Sequence, residues 1–286
     1  MTRIHILGAG TPTPTPTRFG SSFVIEIGSD QIMVDCGPAA TYKLVKAGLW
    51  PTKIDYVFFT HHHFDHDVDF PCFLLTRWDQ SIGKENVLQI FGPKLTEEFT
   101  EGIIGKDGLF KHDLIARMNF SGSKQVYVNR GGKLPRKGPK FIAKNIGEGE
   151  IFSTKNWKVT AATAVHAQPY LDSLAYRIDG PDGSMVFTGD TEPCESVENL
   201  AKNADIMFCM CWDEQTEIEK NNEARGQCGT LDAAKLAQAA NVKKLALVHV
   251  GPNLSKDSEN KKAIEDIKKV YDGEVILSNE LMAIDI

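Results

Sequence analysis

The chain has 286 residues, a formal net charge of −6 and an ordinary hydrophobic fraction of 42%, which places it among globular proteins of one large or two small domains. No apolar run approaches the roughly 18 residues of a membrane span, and the stretch Met1-Thr2-Arg3-Ile4-His5-Ile6-Leu7 enters a strand pattern without the apolar core and cleavage site of a signal peptide; a cytoplasmic location with no membrane partner is expected. The acidic balance offers no general attraction for nucleic acid, although it is compatible with a local basic patch.

Residues 3–8 read as a first strand. Gly8-Ala9-Gly10 and the alternating prolines Pro12, Pro14 and Pro16 follow. This stretch lacks the Lys-Ser/Thr of a P-loop and the third glycine of a dinucleotide site, and its prolines block a helix, so it reads as a stiff extended loop walling a site. Strands 22–28 and 31–35 are separated by Ser29-Asp30, a hairpin signal. Asp35-Cys36-Gly37-Pro38 stops the second, and 39–47 reads as a helix closed by Gly48. A buried strand is expected at 54–59. Val68, Phe70, Phe73, Leu74, Leu75 and Trp78 suit a helix with one buried face over 67–79. A strand at 87–91 ends at Gly92-Pro93, and helices are expected over 95–104 and 110–119.

Residues 121–140, rich in Gly, Lys and Arg, read as a solvated loop, with a phosphate-touching substrate arm as the sharper alternative. A second group of strands then begins: 141–146, 151–153, 157–165, 173–179 and 184–187, the last two flanking the turn Gly180-Pro181-Asp182-Gly183. A helix at 195–203, a strand at 205–210, a helix capped by Thr230 and running to about Ala240, a strand at 244–248 and a helix at 261–271 follow, and two short strands close the chain. Cys36, Cys72, Cys194, Cys209, Cys211 and Cys228 show no framework spacing, so buried, reduced thiols are expected.

Three imidazoles and a carboxylate fall within six residues at His61-x-His63-x-Asp65-His66. His61 and His63, two apart on an extended chain, point to the same side. Asp65 and His66 come where the chain turns into a helix and face a second point. This suits two metal ions side by side, because neutral imidazole and carboxylate are ligands that zinc, iron and manganese accept. Later in the chain His166, Asp190 and His249 each follow a predicted strand. Two sheets packed face to face, with helices outside, would bring those strand ends to one edge.

The stretches Leu7-Gly8-Ala9-Gly10-Thr11-x-x-Pro14, His61-x-His63-x-Asp65-His66, Ser173-Leu174-Ala175-Tyr176-Arg177, Pro181-Asp182-Gly183, Phe187-Thr188-Gly189-Asp190-Thr191 and the strand reaching His249 resemble the metallo-β-lactamase-fold hydrolases over nearly the whole chain. Within them the chain is most similar to the group holding ribonuclease Z and the alkyl- and arylsulfatase-like enzymes. The resemblance implies a single α/β domain over 1–286, a four-layer αββα sandwich, and a homodimer, as in many relatives. It implies that His61, His63 and His166 hold one divalent ion, that Asp65, His66 and His249 hold the other, and that Asp190 bridges them. Zinc is the first choice, with iron or manganese as alternatives. Two such cations sharing a water lower its pKa from about 15.7 to near neutrality, giving a bridging hydroxide for hydrolysis. Asp190 sets the metal separation and Asp65 orients the hydroxide.

One departure bears on substrate. Ribonuclease Z-like relatives carry His-Glu-x-Thr after the next strand, and that His helps the leaving group depart. Here Cys209 and Met210 stand at the His and Glu positions. A ribose oxygen is a poor leaving group and needs a proton donor. With the acidic balance, this favours a small ester, lactone, sulfate ester or phosphodiester. The alternative is a ribonuclease Z-like or cyclic-nucleotide phosphodiesterase acting on RNA or nucleotides. His112, Tyr170 and Asp213 are the candidates for a replacement donor or substrate contact.

Overall fold

The computed structural model describes residues 1–83 and 86–286. Strands β1 (Arg3–Ala9), β2 (Ser21–Ile27), β3 (Asp30–Cys36), β4 (Ile54–Phe58), β5 (Leu88–Gly92) and β6 (Phe141–Asn145) lie side by side in chain order. The second sheet holds β7 (Gly149–Ser153), β8 (Lys158–Thr163), β9 (Leu174–Asp179), β10 (Ser184–Phe187), β11 (Ile206–Met210), β12 (Lys244–Val248) and β13 (Glu274–Leu277), again in chain order. β14 (Ala283–Asp285) returns to the first sheet beside β1. Each sheet opens with antiparallel pairs and ends with parallel ones, β3 to β6 and β10 to β13. A parallel neighbour needs a crossover, and helices supply it. Ala40–Lys46, Phe70–Gln80 and Thr96–Ile104 cover the first sheet; Glu195–Ala201, Thr230–Ala239 and Asp257–Ile267 cover the second.

Period-two alternation builds the layers. Ile4 and Ile6, Phe23, Ile25 and Ile27, and Ile32 and Val34 point inward to meet Val159, Tyr176, Phe187, Phe208 and Val248 of the other sheet in one buried cluster. Phe23 lies 5.1 Å from Phe187, ring centre to ring centre. The alternate residues Leu7, Val24, Met33 and Val57 pack under helices on one side, and Met207, Cys209, Leu245 and Leu247 on the other. Both faces of the strands are apolar because both are covered. The expected αββα sandwich is present.

The differences from the sequence expectations are local. Residues 141–145 do not open the second group of strands; as β6 they close the first sheet, paired from Leu88↔Phe141 to Gly92↔Asn145. The long excursion between β5 and β6 is the crossover that this parallel pairing requires. Within it, Ser121–Asn129 is a helix, not a loop, packed on Lys111–Asn119. The expected helix over 110–119 is present, but Ser121–Asn129 buries only Tyr127, too sparse an apolar pattern to register as periodic. The expected helix over 67–79 starts later, as Phe70–Gln80, and a separate short helix, Phe64–Asp67, precedes it. Gln215–Lys220 is a helix that the sequence did not announce. Thr230 is the first residue of its helix, not the cap, which is Gly229; the Thr230 hydroxyl accepts the Gln215 amide instead. All six cysteines are free, but Cys72 is exposed and Cys194 half-buried. No helix among the described residues is long and apolar enough to cross a membrane.

Candidate metal centre

The C-terminal ends of the central strands meet at one edge of the sandwich. β4 leads to His61, β8 to His166, β10 to Asp190 and β12 to His249. The turn after β4 carries the run of imidazoles, and the short helix Phe64–Asp67 lifts Asp65 and His66 onto the same floor. Two glycines make room for it. A Cβ at Gly37 would stand 2.1 Å from the Asp65 carbonyl oxygen, and one at Gly20, where φ is +56°, would stand 2.7 Å from it.

The donors form two groups. His61, His63, His166 and Asp190 have ligand-type atoms within 4.8 Å of one another, and Asp65, His66 and His249 form the second group by the same measure. In the first, His63 Nδ1 lies 3.0 Å from His61 Nε2 and 3.1 Å from His166 Nε2. In the second, His249 Nε2 lies 3.1 Å from Asp65 Oδ2. Asp190 stands between them: Oδ2 is 3.7 Å from His166 Nε2 and 3.2 Å from His249 Nε2, and Oδ1 is 3.5 Å from His66 Nε2. All seven sequence-named candidates for metal binding therefore come together.

A layer behind them fixes which nitrogen faces the centre. Asp35 Oδ2 accepts from His66 Nδ1 at 2.7 Å, leaving Nε2 free. Asp35 Oδ1 also accepts the Thr60 amide at 2.8 Å, and the Thr60 hydroxyl donates to Oδ2 at 2.9 Å while meeting His61 Nδ1 at 3.1 Å. His166 Nδ1 donates to the Gly226 carbonyl at 2.7 Å, and the Gly226 amide is held by Glu192 Oε2 at 2.7 Å. Partners of this kind orient metal-binding imidazoles. Sequence reasoning missed Asp35, Thr60, Glu192 and Gly226. Asp35 had read only as a strand end; its signal is a carboxylate beside a Gly-Pro stop, held at φ +56° in the structure.

The electrostatics agree with cation binding. Burial, then the nearby His66, pushes the His61 imidazole well below its usual range, into the neutral form that a metal requires. Burial alone would raise Asp190, but His249, His66 and His61 outweigh it and hold the carboxyl well below its usual range. His66 is likewise opposed by burial but raised well above by Asp190 and Asp35. Among the described residues His66 Nε2 and Asp190 Oδ1 are buried without a hydrogen-bond partner. Buried polar atoms are normally satisfied; two orphaned atoms within a cluster of five imidazoles and two carboxylates fit divalent cations.

The other named residues lie elsewhere. His62 turns away from the centre, with Nδ1 at Asp67 and Nε2 2.8 Å from Thr96 Oγ1. His112 is exposed on the helical hairpin, outside the cluster. Tyr170, 89% exposed, sits on the turn after His166. Asp213, at the foot of the loop leaving β11, accepts from Asn253 at 3.0 Å. That loop borders the centre, with the Trp212 ring 6.0 Å from the His249 ring and nearly parallel to it. Cys209 and Met210 are buried on β11, and the Met210 sulfur takes the Thr191 amide at 3.0 Å, so neither presents a proton donor.

The family model for the metallo-beta-lactamase superfamily matches residues 15–210. The chain is 26% identical to the ribonuclease Z of Mycobacterium sp. (strain KMS), over 91% of this chain and 87% of that one. The metallo-beta-lactamase fold protein YhfI from Bacillus subtilis superposes with a TM-score of 0.73 at 19% identity, covering 99% of this chain and 98% of that chain. The short form of human tRNase Z gives 0.68 at 20% identity, covering 99% of each chain. Taken with the two-sheet sandwich and the His/Asp clusters at its edge, these matches establish the chain as a metal-dependent hydrolase of the metallo-beta-lactamase superfamily, with relatives in the ribonuclease Z group.

Proposed function

We propose that the protein hydrolyses phosphodiester bonds of RNA or nucleotides, with His61, His63 and His166 around one divalent ion, Asp65, His66 and His249 around the other, and Asp190 between them. The observation that carries this reading is the complete seven-residue centre on a chain that aligns along most of its length with a ribonuclease Z. Two bound cations supply an acidified water and polarise a phosphoryl oxygen. The chain's own residues do the rest. Asp35, Thr60 and Gly226 hold the imidazoles in the ligating tautomer. Asp190 reaches both groups of donors, and Asp65 is placed to orient the attacking oxygen. Trp212 walls the His249 side. Zinc as the metal, a homodimer and a cytoplasmic location complete the proposal, on the family resemblance.

A second reading is a small ester, lactone or sulfate with a good leaving group. It is favoured by Cys209 and Met210, which leave no donor at the position where the relatives carry His and Glu. A donor is typically worth about 10²–10⁴ in rate when the leaving group is poor. The test compares kcat/KM on one metal-loaded preparation for precursor tRNA, a cyclic nucleotide, an aryl phosphodiester, an aryl sulfate and a lactone. Phosphodiesters should lead. An aryl sulfate or lactone outrunning every phosphodiester overturns the proposal in favour of the second reading. Tyr170, on the turn after His166, and Asp213, on the loop leaving β11, are proposed as substrate contacts; loss of either should raise KM. His112 is not carried forward.

A further inference from the structure

The net charge of −6 conceals a division. Between residues 102 and 144 there are ten basic and two acidic side chains, a surplus of eight, so the rest of the chain stands at −14. The structure folds this basic segment mainly into the helical hairpin Lys111–Asn119 and Ser121–Asn129 and the strand-like return to β6. At its base Arg117, Arg130 and Arg136 all reach the single carboxylate of Asp79, at 3.2, 3.2 and 2.9 Å. Arg136 is buried, with its guanidinium 4.1 Å from the centre of the Trp78 ring and 4.9 Å from that of Tyr127. The array is thus held rigidly. On the same segment Lys106, Lys124, Lys133 and Lys137 form no ion pair among the described residues; Lys144 pairs beside Phe91 at the other end of β6 and is not part of this surface. Phe120 is 65% exposed on the same hairpin.

This surface is not over the metal centre. Phe70, at one end of its helix, packs 4.8 Å from Phe59 beneath the imidazole run. Asp79 is near the other end, and the nine helical steps between them span about 14 Å. The Lys140 carbonyl meets the Leu88 amide at the start of β5, the end of the strand away from the centre. At about 3.4 Å per phosphate along one strand of a duplex, some four phosphates separate the two places.

We propose that the hairpin is a docking surface for the phosphodiester backbone of an RNA whose other part reaches the metal centre. The inference rests on the phosphodiesterase reading for its substrate, and it makes that substrate a polymer, since a mononucleotide cannot touch both places. Charge complementarity selects the occupant: fixed guanidiniums and unpaired ammoniums match regularly spaced phosphates, and an exposed aromatic ring can stack on a base. The experiment uses Lys106→Gln, Lys133→Gln and Lys137→Gln combined. All three side chains are exposed and form no ion pair among the described residues. Binding of labelled precursor tRNA is measured against salt in chelator, and turnover of the same RNA and of an aryl phosphodiester is measured with metal. The variant should bind RNA about tenfold or more weakly, with a salt slope smaller by about two, as three lost phosphate contacts imply for unpaired strands. Its aryl phosphodiester kcat/KM should equal that of the parent, which also shows an intact fold. Unchanged RNA affinity and slope in the variant overturns the inference and leaves the phosphodiesterase reading standing. RNA bound through the hairpin but never cleaved does the reverse. Failure of the parent to bind RNA, with or without binding to phosphatidylserine vesicles, overturns the inference.

Discussion

Replacing Asp35 by Asn tests whether the layer behind the imidazoles sets metal affinity. Asn keeps the volume and one oxygen for the Thr60 amide, so the strand end should remain packed. What changes is the group facing His66 Nδ1 at 2.7 Å. The carboxylate accepts the Nδ1 proton and leaves Nε2 for an ion. An amide nitrogen there is itself a donor, so the ring turns to the tautomer with the proton on Nε2, the nitrogen aimed at Asp190. Loss of such an outer partner typically costs 10–100-fold in metal affinity or activity, about 1.4–2.7 kcal/mol. Competition against a chromophoric chelator should show one site weakened by that amount and the other nearly unchanged, since His61 keeps its Thr60 contact and His166 its Gly226 carbonyl. Asp35→Ala should do more. It strands the buried Thr60 amide and hydroxyl, at about 1–3 kcal/mol for each orphaned group, and should lower Tm as well. An Asn variant whose two sites both match the parent within twofold would refute the orienting role.

Metal analysis should approach two ions per chain, and His63→Ala or Asp190→Ala should remove metal and rate together; full activity in a metal-free preparation would end the proposal. The Asp79 carboxyl is opposed by burial but held below its usual value by Arg136 and Arg117. Its stabilising effect is therefore present above the unfolded pKa near 3.9 and lost as pH falls through the lower folded value. Asp79→Asn should lower stability at pH 7 by about 1 kcal/mol or less, and the difference from the parent should vanish in strong acid. All six thiols should titrate in denaturant without reductant; in the native protein Cys72 should react first, while Cys209, Cys211 and Cys228 stay silent.

The architecture was legible because burial on both strand faces leaves near-continuous apolar runs, as in Ile32–Val34 and Leu245–Val248, and the crossover helices lie between them. The residues that gather at the candidate centre were legible as a dense His/Asp run in the turn and short helix after β4 and as single residues following β8, β10 and β12. The layer behind them was not. Asp35 and His66 are 31 positions apart, and Gly226 and His166 are 60 apart, so the contacts follow from how the sheets meet and from no local pattern. The second helix of the hairpin was missed for a different reason. It buries only Tyr127, so tertiary packing and the β5–β6 crossover fix it where periodicity is mute. A net charge summed over the chain likewise cannot report a surplus gathered on one segment.

The split of the ligands between the sheets has a consequence during synthesis. Four of the seven, His61 to His66, belong to the first sheet, and the other three belong to the second. Translation at about 5–20 residues per second puts roughly 10–40 s between His66 and His249 leaving the peptidyl-transferase centre. For about the first two thirds of that interval the nascent chain displays four donors with no Asp190 beside them, and until the end of it the second sheet is incomplete. On the proposed assignment, a cation met then would find only part of its donors. Selection of the ions would be deferred until the late strands dock, and the choice of metal would become a matter of timing as well as affinity.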